Sequence, residues 1–307
     1  MSRRLAFLGS KNLGLEVLRF MTQVLDSGEL VGVITLDDRS DARSRLADLQ
    51  RTAVECRVPF RLVEKTSQFM RAIEEFAPDL VIVAGWYRII PLDHFPSVKF
   101  YGLHASPLPK YRGNAPLVWK IINGETTLGI SLFQLAAGID DGLIVGIQHF
   151  PLAEDETIQD ALDKATGAAL DLLRFHLRPL VDGTAVHTEQ NHLETTYCGL
   201  RLPEDGLIDW RSPAKAVHNF VRAQTHPYPG AFTRLKDGRV VKVWRTRVFE
   251  WPYLGVPGSV AEVREDSVIV ACGQGAVEIL AASLGDRPIL SADPIPKDLR
   301  SLKVRLS

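Results

Sequence analysis

Short, largely apolar runs alternate with segments of helical spacing through the first half of the chain, and this alternation constrains the fold most strongly. The runs are Leu5–Leu8, Val31–Thr35 and Leu80–Ala84, with Gly, Asp or Pro close to their ends. Such runs are typical of strands buried on both faces. Helical spacing follows at residues 13–24 and 42–56. Strand–helix–strand order predicts an α/β fold with a doubly wound, mostly parallel sheet.

The same pattern continues as far as residue 181. We predict strands at residues 99–103, 129–135 and 143–150. A long helix is predicted at 157–181, where apolar residues recur at a spacing that forms one stripe.

The pattern changes in the last part of the chain. A polar segment at 187–196, interpreted either as a linker or as a wrapping segment, precedes a helix predicted at 213–224, with Ser212 as its N-cap. Short alternating segments with turn signals follow, at 231–235, 240–246, 258–263, 267–272 and 276–280. They predict a small antiparallel barrel. We therefore expect two domains, residues 1–185 and 186–307.

Composition limits the classes of function. The 307 residues are 46% hydrophobic and 24% charged, which suits a globular chain with a sizeable core. No apolar stretch approaches the about 18 residues of a membrane span, and the N-terminal run is too short for a secretory signal. Cys56, Cys198 and Cys272 are isolated, so we expect free thiols, a cytoplasmic location and no metal. The net charge of −1 favours no nucleic-acid partner.

The Gly9–Gly14 turn lies where a dinucleotide-binding loop would be, directly after the first strand. Asp37 follows the second strand, as that fingerprint requires, but the turn lacks the GxGxxG spacing. We therefore interpret it as a tight strand-to-helix turn and not as a nicotinamide site.

His104 and Asp140 are candidates for proton transfer. His104 follows the strand predicted at 99–103, at the sheet edge where open α/β sheets bind ligands. Asp140 lies in a turn between Gly138 and Gly142, and an acid beside a histidine can orient the ring and stabilise its cation. Spacing alone does not choose between Asp140 and the adjacent Asp141.

A rigid Ser/Pro/Gly frame surrounds His104. Prolines restrict the backbone of this loop and can hold neighbouring groups in place. Ser106, Arg112 and Asn114 belong to this frame. They are interpreted either as scaffold or as substrate-binding residues, with Arg112 a candidate for contact with an anionic group.

Three motifs together carry a resemblance to a known family. They are HxSxLPxxRGxxPxxW from His104, NGExTxG from Asn123 and GxDxG from Gly138. The combination resembles the formyltransferases that use 10-formyltetrahydrofolate, and the resemblance spans about residues 4–285. It implies a Rossmann-like catalytic domain and a C-terminal domain that resembles an OB fold.

The resemblance also implies the site. The family's catalytic set is Asn-x-His followed by Asp, which corresponds here to Gly102, His104 and Asp140, so the chain departs from the family at Gly102. Two loops would bind the pterin of the folate, largely through backbone groups. Their residues are Gly85, Trp86, Tyr87, Arg88, Ile89, Ile90, Gly138, Ile139 and Asp141. The reaction implied needs no metal.

The acceptor implied is the amine of a nucleotide-linked amino sugar. Residues 197–210 and 226–232 are similar to the family's amino-sugar branch, and they make Tyr197 and Tyr228 candidates for substrate binding. A homodimer is a candidate assembly.

Three alternatives stay open. The first is a methionyl-tRNA formyltransferase, although that branch carries a longer basic loop after the second strand, where residues 36–45 are charge-balanced. The second is a hydroxyornithine or peptide formyltransferase of a secondary pathway. The third is a folate-binding homologue with weak or no catalysis, because Gly102 replaces the family's Asn.

Overall fold

The computed structural model describes residues 3–285 and 295–307, which form two compact units. The first unit comprises the described residues up to Gly113, together with Thr127–Phe150 and Leu162–Cys198. The second comprises Asn114–Thr126, Pro151–Ala161 and the described residues from Gly199 onward. Within these ranges, no helix has the length and apolarity needed to cross a membrane. The domain boundary at residues 185 and 186 stays a prediction.

A seven-stranded sheet forms the centre of the first unit. Its strands are β1 (Leu5–Gly9), β2 (Leu30–Leu36), β3 (Phe60–Val63), β4 (Leu80–Ala84), β5 (Lys99–His104), β7 (Thr127–Gln134) and β8 (Ile144–Pro151). Their order is β3-β2-β1-β4-β5-β7-β8, parallel from β3 to β5 and antiparallel between β5 and β7. A separate pair joins β6 (Arg112–Gly113) to β9 (Tyr197–Cys198). The predicted mostly parallel sheet is confirmed.

Helices connect these strands and cover the sheet. They are α1 (Lys11–Val24), α2 (Leu46–Glu55), α3 (Thr66–Phe76) and α5 (Ile158–Asp182), while α4 (Pro116–Ile122) and α6 (Ala214–Arg222) belong to the second unit. Helix α3 packs its apolar face onto β1, β2 and β4. Gly32 of β2 permits this close approach, because a Cβ there would lie 2.1 Å from the Phe76 ring.

Sequence patterns missed some of these elements. Strand β3 has two exposed central residues, Arg61 and Leu62, so it lacks the continuous apolar run of a buried strand. Helix α3 was not predicted, although Phe69, Ile73 and Phe76 have helical spacing. Helix α2 begins at Leu46 and not near residue 42, because residues 41–44 form a turn with backbone hydrogen bonds.

The second unit contains a five-stranded antiparallel sheet, as predicted. Its strands are β10 (Ala231–Arg234), β11 (Val240–Val248), β12 (Val260–Val263), β13 (Val268–Ala271) and β14 (Ala276–Leu284), in the order β10-β11-β14-β13-β12. The end of the chain joins the two edges: Arg234 N donates to the Ser307 carbonyl at 2.8 Å, and Leu306 N donates to the Gly258 carbonyl at 2.8 Å. These bonds give the sheet a barrel-like closure.

Helix α6 differs from its prediction in two respects. Its N-cap is Pro213 in an extended conformation, and not Ser212, whose backbone N–H bonds to the Asp209 carbonyl in a preceding turn. The helix ends at Arg222, two residues before the predicted end.

Candidate active site

A cavity of about 520 Å³ opens in the first unit at the carboxyl ends of β4 and β5. Parallel strands that neighbour each other place their following loops at one edge, where open α/β sheets bind ligands. The loop after β7 completes the wall. Among the lining residues are Gly85, Trp86, Arg88, Ile89, Ile90, Gly102, His104, Gly138, Ile139 and Asp140. Most of the predicted catalytic and folate-binding residues are therefore brought together.

His104 is the last residue of β5, and its side chain is 10% exposed. Its Nε2 lies 2.8 Å from the backbone oxygen of Tyr111. Because a carbonyl only accepts hydrogen bonds, this contact places a proton on Nε2. The neutral ring therefore presents the lone pair of Nδ1, which is the arrangement a general base needs.

Asp140 lies beside that lone pair. Its Oδ2 is 3.5 Å from His104 Nδ1, which is too long for a strong hydrogen bond. The same Oδ2 accepts a hydrogen bond from Gly113 N at 2.8 Å. Asp140 has φ of 48°, in the left-handed region that is unfavourable for a residue with a side chain. The surrounding contacts must therefore hold this backbone conformation.

Gly102 lies two residues before His104 on the same strand, where it contributes backbone to the cavity wall. A Cβ at this position would lie 2.9 Å from Leu135 Cδ2 and 3.0 Å from Phe133 Cε1. These two apolar side chains therefore crowd the place where a larger residue would begin.

The loop after β4 is fixed by its first residue. Gly85 has φ of +67°, and its carbonyl accepts a hydrogen bond from Ser10 Oγ at 2.5 Å. Trp86 packs against Phe69 with ring centroids 6.0 Å apart. Tyr87 is 59% exposed, and its ring lies 5.5 Å from Lys11 Nζ. Unlike its neighbours in this loop, it does not line the cavity.

Asp141 also faces away from the cavity. Its carboxylate folds back onto Gly138, where an added Cβ would lie 2.0 Å from Asp141 Oδ2. The structure thus separates the neighbouring acids: Asp140 lines the cavity and Asp141 packs within its own turn.

Two residues for which scaffold and substrate-binding roles were both open are buried, which favours the scaffold interpretation. Ser106 is fully buried and donates to the Lys110 carbonyl at 2.7 Å. Arg112 is 2% exposed and donates two hydrogen bonds to Gln190 Oε1, at 2.6 and 3.1 Å. Neither side chain has surface left for a substrate.

The three remaining predicted binding residues are Asn114, Tyr197 and Tyr228. Tyr197, on β9, is 65% exposed, and its hydroxyl accepts a long hydrogen bond of 3.4 Å from Arg112. Asn114 and Tyr228 belong to the second unit, and their part in binding stays a prediction.

Cys198 lies beside the loop that carries Arg112. Its Sγ donates to the Arg112 carbonyl at 3.3 Å. Burial, together with the negative charge of Asp140, raises the pKa of the Cys198 thiol to about 11. The thiol is therefore neutral at physiological pH and unsuited to nucleophilic catalysis.

Sequence patterns did not identify the roles of three residues that shape the site. Tyr111 and Gly113 act through backbone groups, which have no side-chain signature. Gln190 lies in the polar run interpreted as a linker or a wrapping segment. Its amide donates to the Asp140 and Gly142 carbonyls at 2.8 and 2.7 Å.

The cations of the loop after β2 are paired with carboxylates of the loop and of α2. Arg39 contacts Asp37, Arg43 lies 2.8 Å from Asp41, and Arg45 lies 2.8 Å from Asp48. Each of the three arginines at 37–45 thus has a carboxylate partner, which reduces the attraction of this loop for a polyanion.

Comparison with known proteins identifies the family. Residues 3–173 match the family described as formyl transferase, and residues 202–297 match the formyl transferase C-terminal domain. The methionyl-tRNA formyltransferase of Sorangium cellulosum is 33% identical over 300 residues, which cover 94% of this chain and 95% of that protein.

Solved structures share the fold at lower identity. WlaRD, a sugar 3N-formyl transferase solved in the presence of dTDP and 5-N-formyl-THF, has a TM-score of 0.70 and 18% identity, covering 94% of this chain and 100% of that one. HypX from Aquifex aeolicus in complex with tetrahydrofolic acid has a TM-score of 0.64 and 21% identity over 91% of this chain. This chain spans 44% of that protein. On the two family matches and the 33% identity, the chain belongs to the formyl transferase family and is a formyltransferase.

Proposed function

We propose that the enzyme transfers a formyl group from 10-formyltetrahydrofolate to the primary amine of a nucleotide-linked amino sugar. One observation carries the chemistry: His104 Nδ1 and Asp140 Oδ2 lie 3.5 Å apart on the cavity wall. When the His104 ring is neutral, its Nδ1 accepts hydrogen bonds, as does the Asp140 carboxylate oxygen. Two adjacent acceptors suit a group with at least two N–H donors, and a primary amine is such a group.

The cavity suits the folate donor. Its volume of about 520 Å³ lies in the range of small-molecule sites. Gly85, Gly102 and Gly138, with Ala136 and Ala137, make much of the wall from backbone. Backbone donors and acceptors match the edge of a flat pterin ring, and the bound folate would supply the formyl group.

His104 would act as the general base. The attacking amine must lose a proton, and Nδ1 is free to receive it because Nε2 already donates to Tyr111. Asp140 would stabilise the resulting cation across 3.5 Å. The protonated Nδ1 would donate a hydrogen bond to the charge that develops on the formyl oxygen as the amine nitrogen bonds to the formyl carbon. It would then pass the proton to N10 of the folate as the bond between N10 and the formyl carbon breaks, so that tetrahydrofolate leaves and the neutral ring is restored.

Gly102 lowers the expected rate. The family's Asn at this position would offer an amide donor to the same oxygen, and loss of one such donor costs about 10²–10³ in rate. We propose reduced but real catalysis, in which a water molecule supplies the missing donor.

The acceptor is inferred from charge and from the relatives. The arginines after β2 are paired with acids, and this pairing disfavours binding of tRNA by the loop. WlaRD acts on a sugar, and another fold neighbour, from Helicobacter canadensis, was solved with dTDP-3-aminofucose. The rival acceptor is methionyl-tRNA, because the relatives at 33% and 32% identity are named for it.

A direct competition between acceptors tests this proposal. The purified protein is incubated with 10-formyltetrahydrofolate and either a panel of dTDP- and UDP-linked amino sugars or charged initiator tRNA. We expect formylation of at least one amino sugar and none of the tRNA. Formylation of methionyl-tRNA alone would establish the rival, and folate binding without transfer to any amine would establish a non-catalytic homologue.

A further inference from the structure

We propose that Gln190 is a positioning residue that holds the Asp140 turn in its strained conformation and thereby sets the distance between Asp140 and His104. The proposal rests on the proposed roles of those two residues. Gln190 does not line the cavity, and its side chain is buried with 6% exposure. Its effect on the reaction is therefore indirect.

The Gln190 amide uses its full hydrogen-bonding capacity. Nε2 donates to the carbonyls of Asp140 and Gly142, at 2.8 and 2.7 Å. Oε1 accepts from Nε and Nη2 of Arg112, at 3.1 and 2.6 Å. An amide has two donor hydrogens and an oxygen with two lone pairs, so all four are engaged. A flipped amide would set like groups against each other at all four contacts, so its orientation is unique.

The segment that carries Gln190 is itself anchored beside the turn. Thr188 and Ile144 exchange two backbone hydrogen bonds, each of 2.8 Å, just after the Asp140 turn. Farther along, the Thr196 carbonyl accepts from Arg112 N at 2.9 Å. Gln190 therefore lies between two fixed points and has little freedom to move away.

The hydrogen bonds of Gln190 to the Asp140 turn and to Arg112 form a bridge, called the Gln190 bridge below. Its Arg112 end adjoins the residues that contact His104 and Asp140. Arg112 is flanked by Tyr111, whose carbonyl accepts from His104, and by Gly113, whose N–H donates to Asp140 Oδ2. The Arg112–Gln190 contact thus connects the segment that holds His104 to the turn that carries Asp140. One hydrogen-bond network therefore positions both His104 Nδ1 and Asp140 Oδ2, which lie 3.5 Å apart.

The strain at Asp140 explains why such a bridge is needed. A residue with a side chain at φ of 48° remains there only when its surroundings favour that conformation. Gln190 bonds the carbonyl of this same residue and that of Gly142. Without both bonds, the turn is free to relax toward ordinary backbone angles, and the carboxylate would move with it.

Gln190→Glu tests the bridge with a nearly isosteric change. Glu keeps an acceptor for Arg112 but replaces both donors with an oxygen that repels the two carbonyls. A displacement of about 1 Å at a reacting group can cost about 10²-fold in rate, so we expect kcat to fall between tenfold and a hundredfold. The matched control is Gln148→Glu, an exposed glutamine on β8, which should leave kcat unchanged.

A double-mutant comparison with Asp140 distinguishes a positioning role of Gln190 from a purely structural one. If Gln190 acts through Asp140, Gln190→Glu should lower kcat far less in an Asp140→Asn background than in the wild type. Equal losses in the two backgrounds would overturn the proposal. If Gln190→Glu does not fold, the same two backgrounds are compared with Gln190→Asn. This variant keeps the amide but shortens its reach.

Hydrogen exchange makes the test independent of the acceptor. Amides of residues 136–143 should exchange faster in Gln190→Glu than in wild type or Gln148→Glu, with the rest of the first unit unchanged. Faster exchange in Gln190→Glu, together with a wild type that is inactive, would refute the proposed function but support the Gln190 bridge. Unchanged exchange in an active enzyme would defeat the bridge alone.

Discussion

His104 and Asp140 lie 3.5 Å apart, Nδ1 to Oδ2, and each is held by a backbone group rather than by the other. The Tyr111 carbonyl fixes His104, and the Gly113 N–H fixes Asp140. Because Tyr111 and Gly113 flank Arg112, one three-residue segment contacts both members of the pair. The pair itself stays open to a substrate that can donate hydrogen bonds to both atoms.

The first prediction concerns Gly102 and its apolar neighbours. Gly102→Asn alone should raise kcat little, because its Cβ meets Leu135 at 2.9 Å and Phe133 at 3.0 Å. The double variant with Leu135→Ala makes room for the amide and should raise kcat by about tenfold or more. Steady-state kinetics compare both with Leu135→Ala alone. A double variant no faster than that control would show that no oxyanion donor is missing here.

The second prediction concerns the thiols. Burial raises the pKa of Cys272 to about 12, and the pKa of Cys198 is about 11, so both stay protonated at pH 8. Cys56 is exposed. A disulfide-exchange reagent should therefore modify one thiol rapidly in the native protein and all three after denaturation. Peptide mapping that finds Cys198 modified as fast as Cys56 would contradict the burial described for this site.

The third prediction concerns the packing of α3 on the sheet. Gly32→Ala should lower the free energy of unfolding by about 1–3 kcal/mol, because its Cβ would overlap the Phe76 ring. Gly167, on α5, is the matched control, since a Cβ there meets no atom within 4 Å. Gly167→Ala should raise stability by up to about 1 kcal/mol. Urea denaturation measures both, and equal effects would refute the close approach of α3.

Much of the fold follows from local sequence patterns. Strand β4 has the predicted bounds, and all five strands of the second unit occur where alternation predicted them. Contacts between distant residues were not predictable in this way. The closure by Ser307 depends on hydrogen bonds to Arg234, 73 residues away, and no local pattern records such a pairing.

The candidate site was predictable only where side chains carry the chemistry. His104 and Asp140 follow from their residue types and their motif, and the structure places both on the cavity wall. Arg112 illustrates the limit. A conspicuous arginine near a histidine suggests an anion-binding group, but its burial against Gln190 is a tertiary property.

The fourth prediction concerns nucleic acid. The paired arginines after β2 and the net charge of −1 predict no tight binding of initiator tRNA at physiological salt. A filter-binding titration at several salt concentrations measures this. Submicromolar affinity that falls steeply with salt would instead favour methionyl-tRNA as the acceptor.

Transfer of an isotope-labelled formyl group from 10-formyltetrahydrofolate to a nucleotide-linked amino sugar, compared between wild type and His104→Ala, tests the central claim most directly. General acid–base catalysis contributes about 10²–10⁴ in rate, so His104→Ala should lower kcat by at least about a hundredfold. His149→Ala, an exposed histidine on β8, is the matched control and should keep full activity. Thermal unfolding should show that both variants remain folded. A His104→Ala enzyme within a few-fold of wild type would contradict the assignment of His104 as the base.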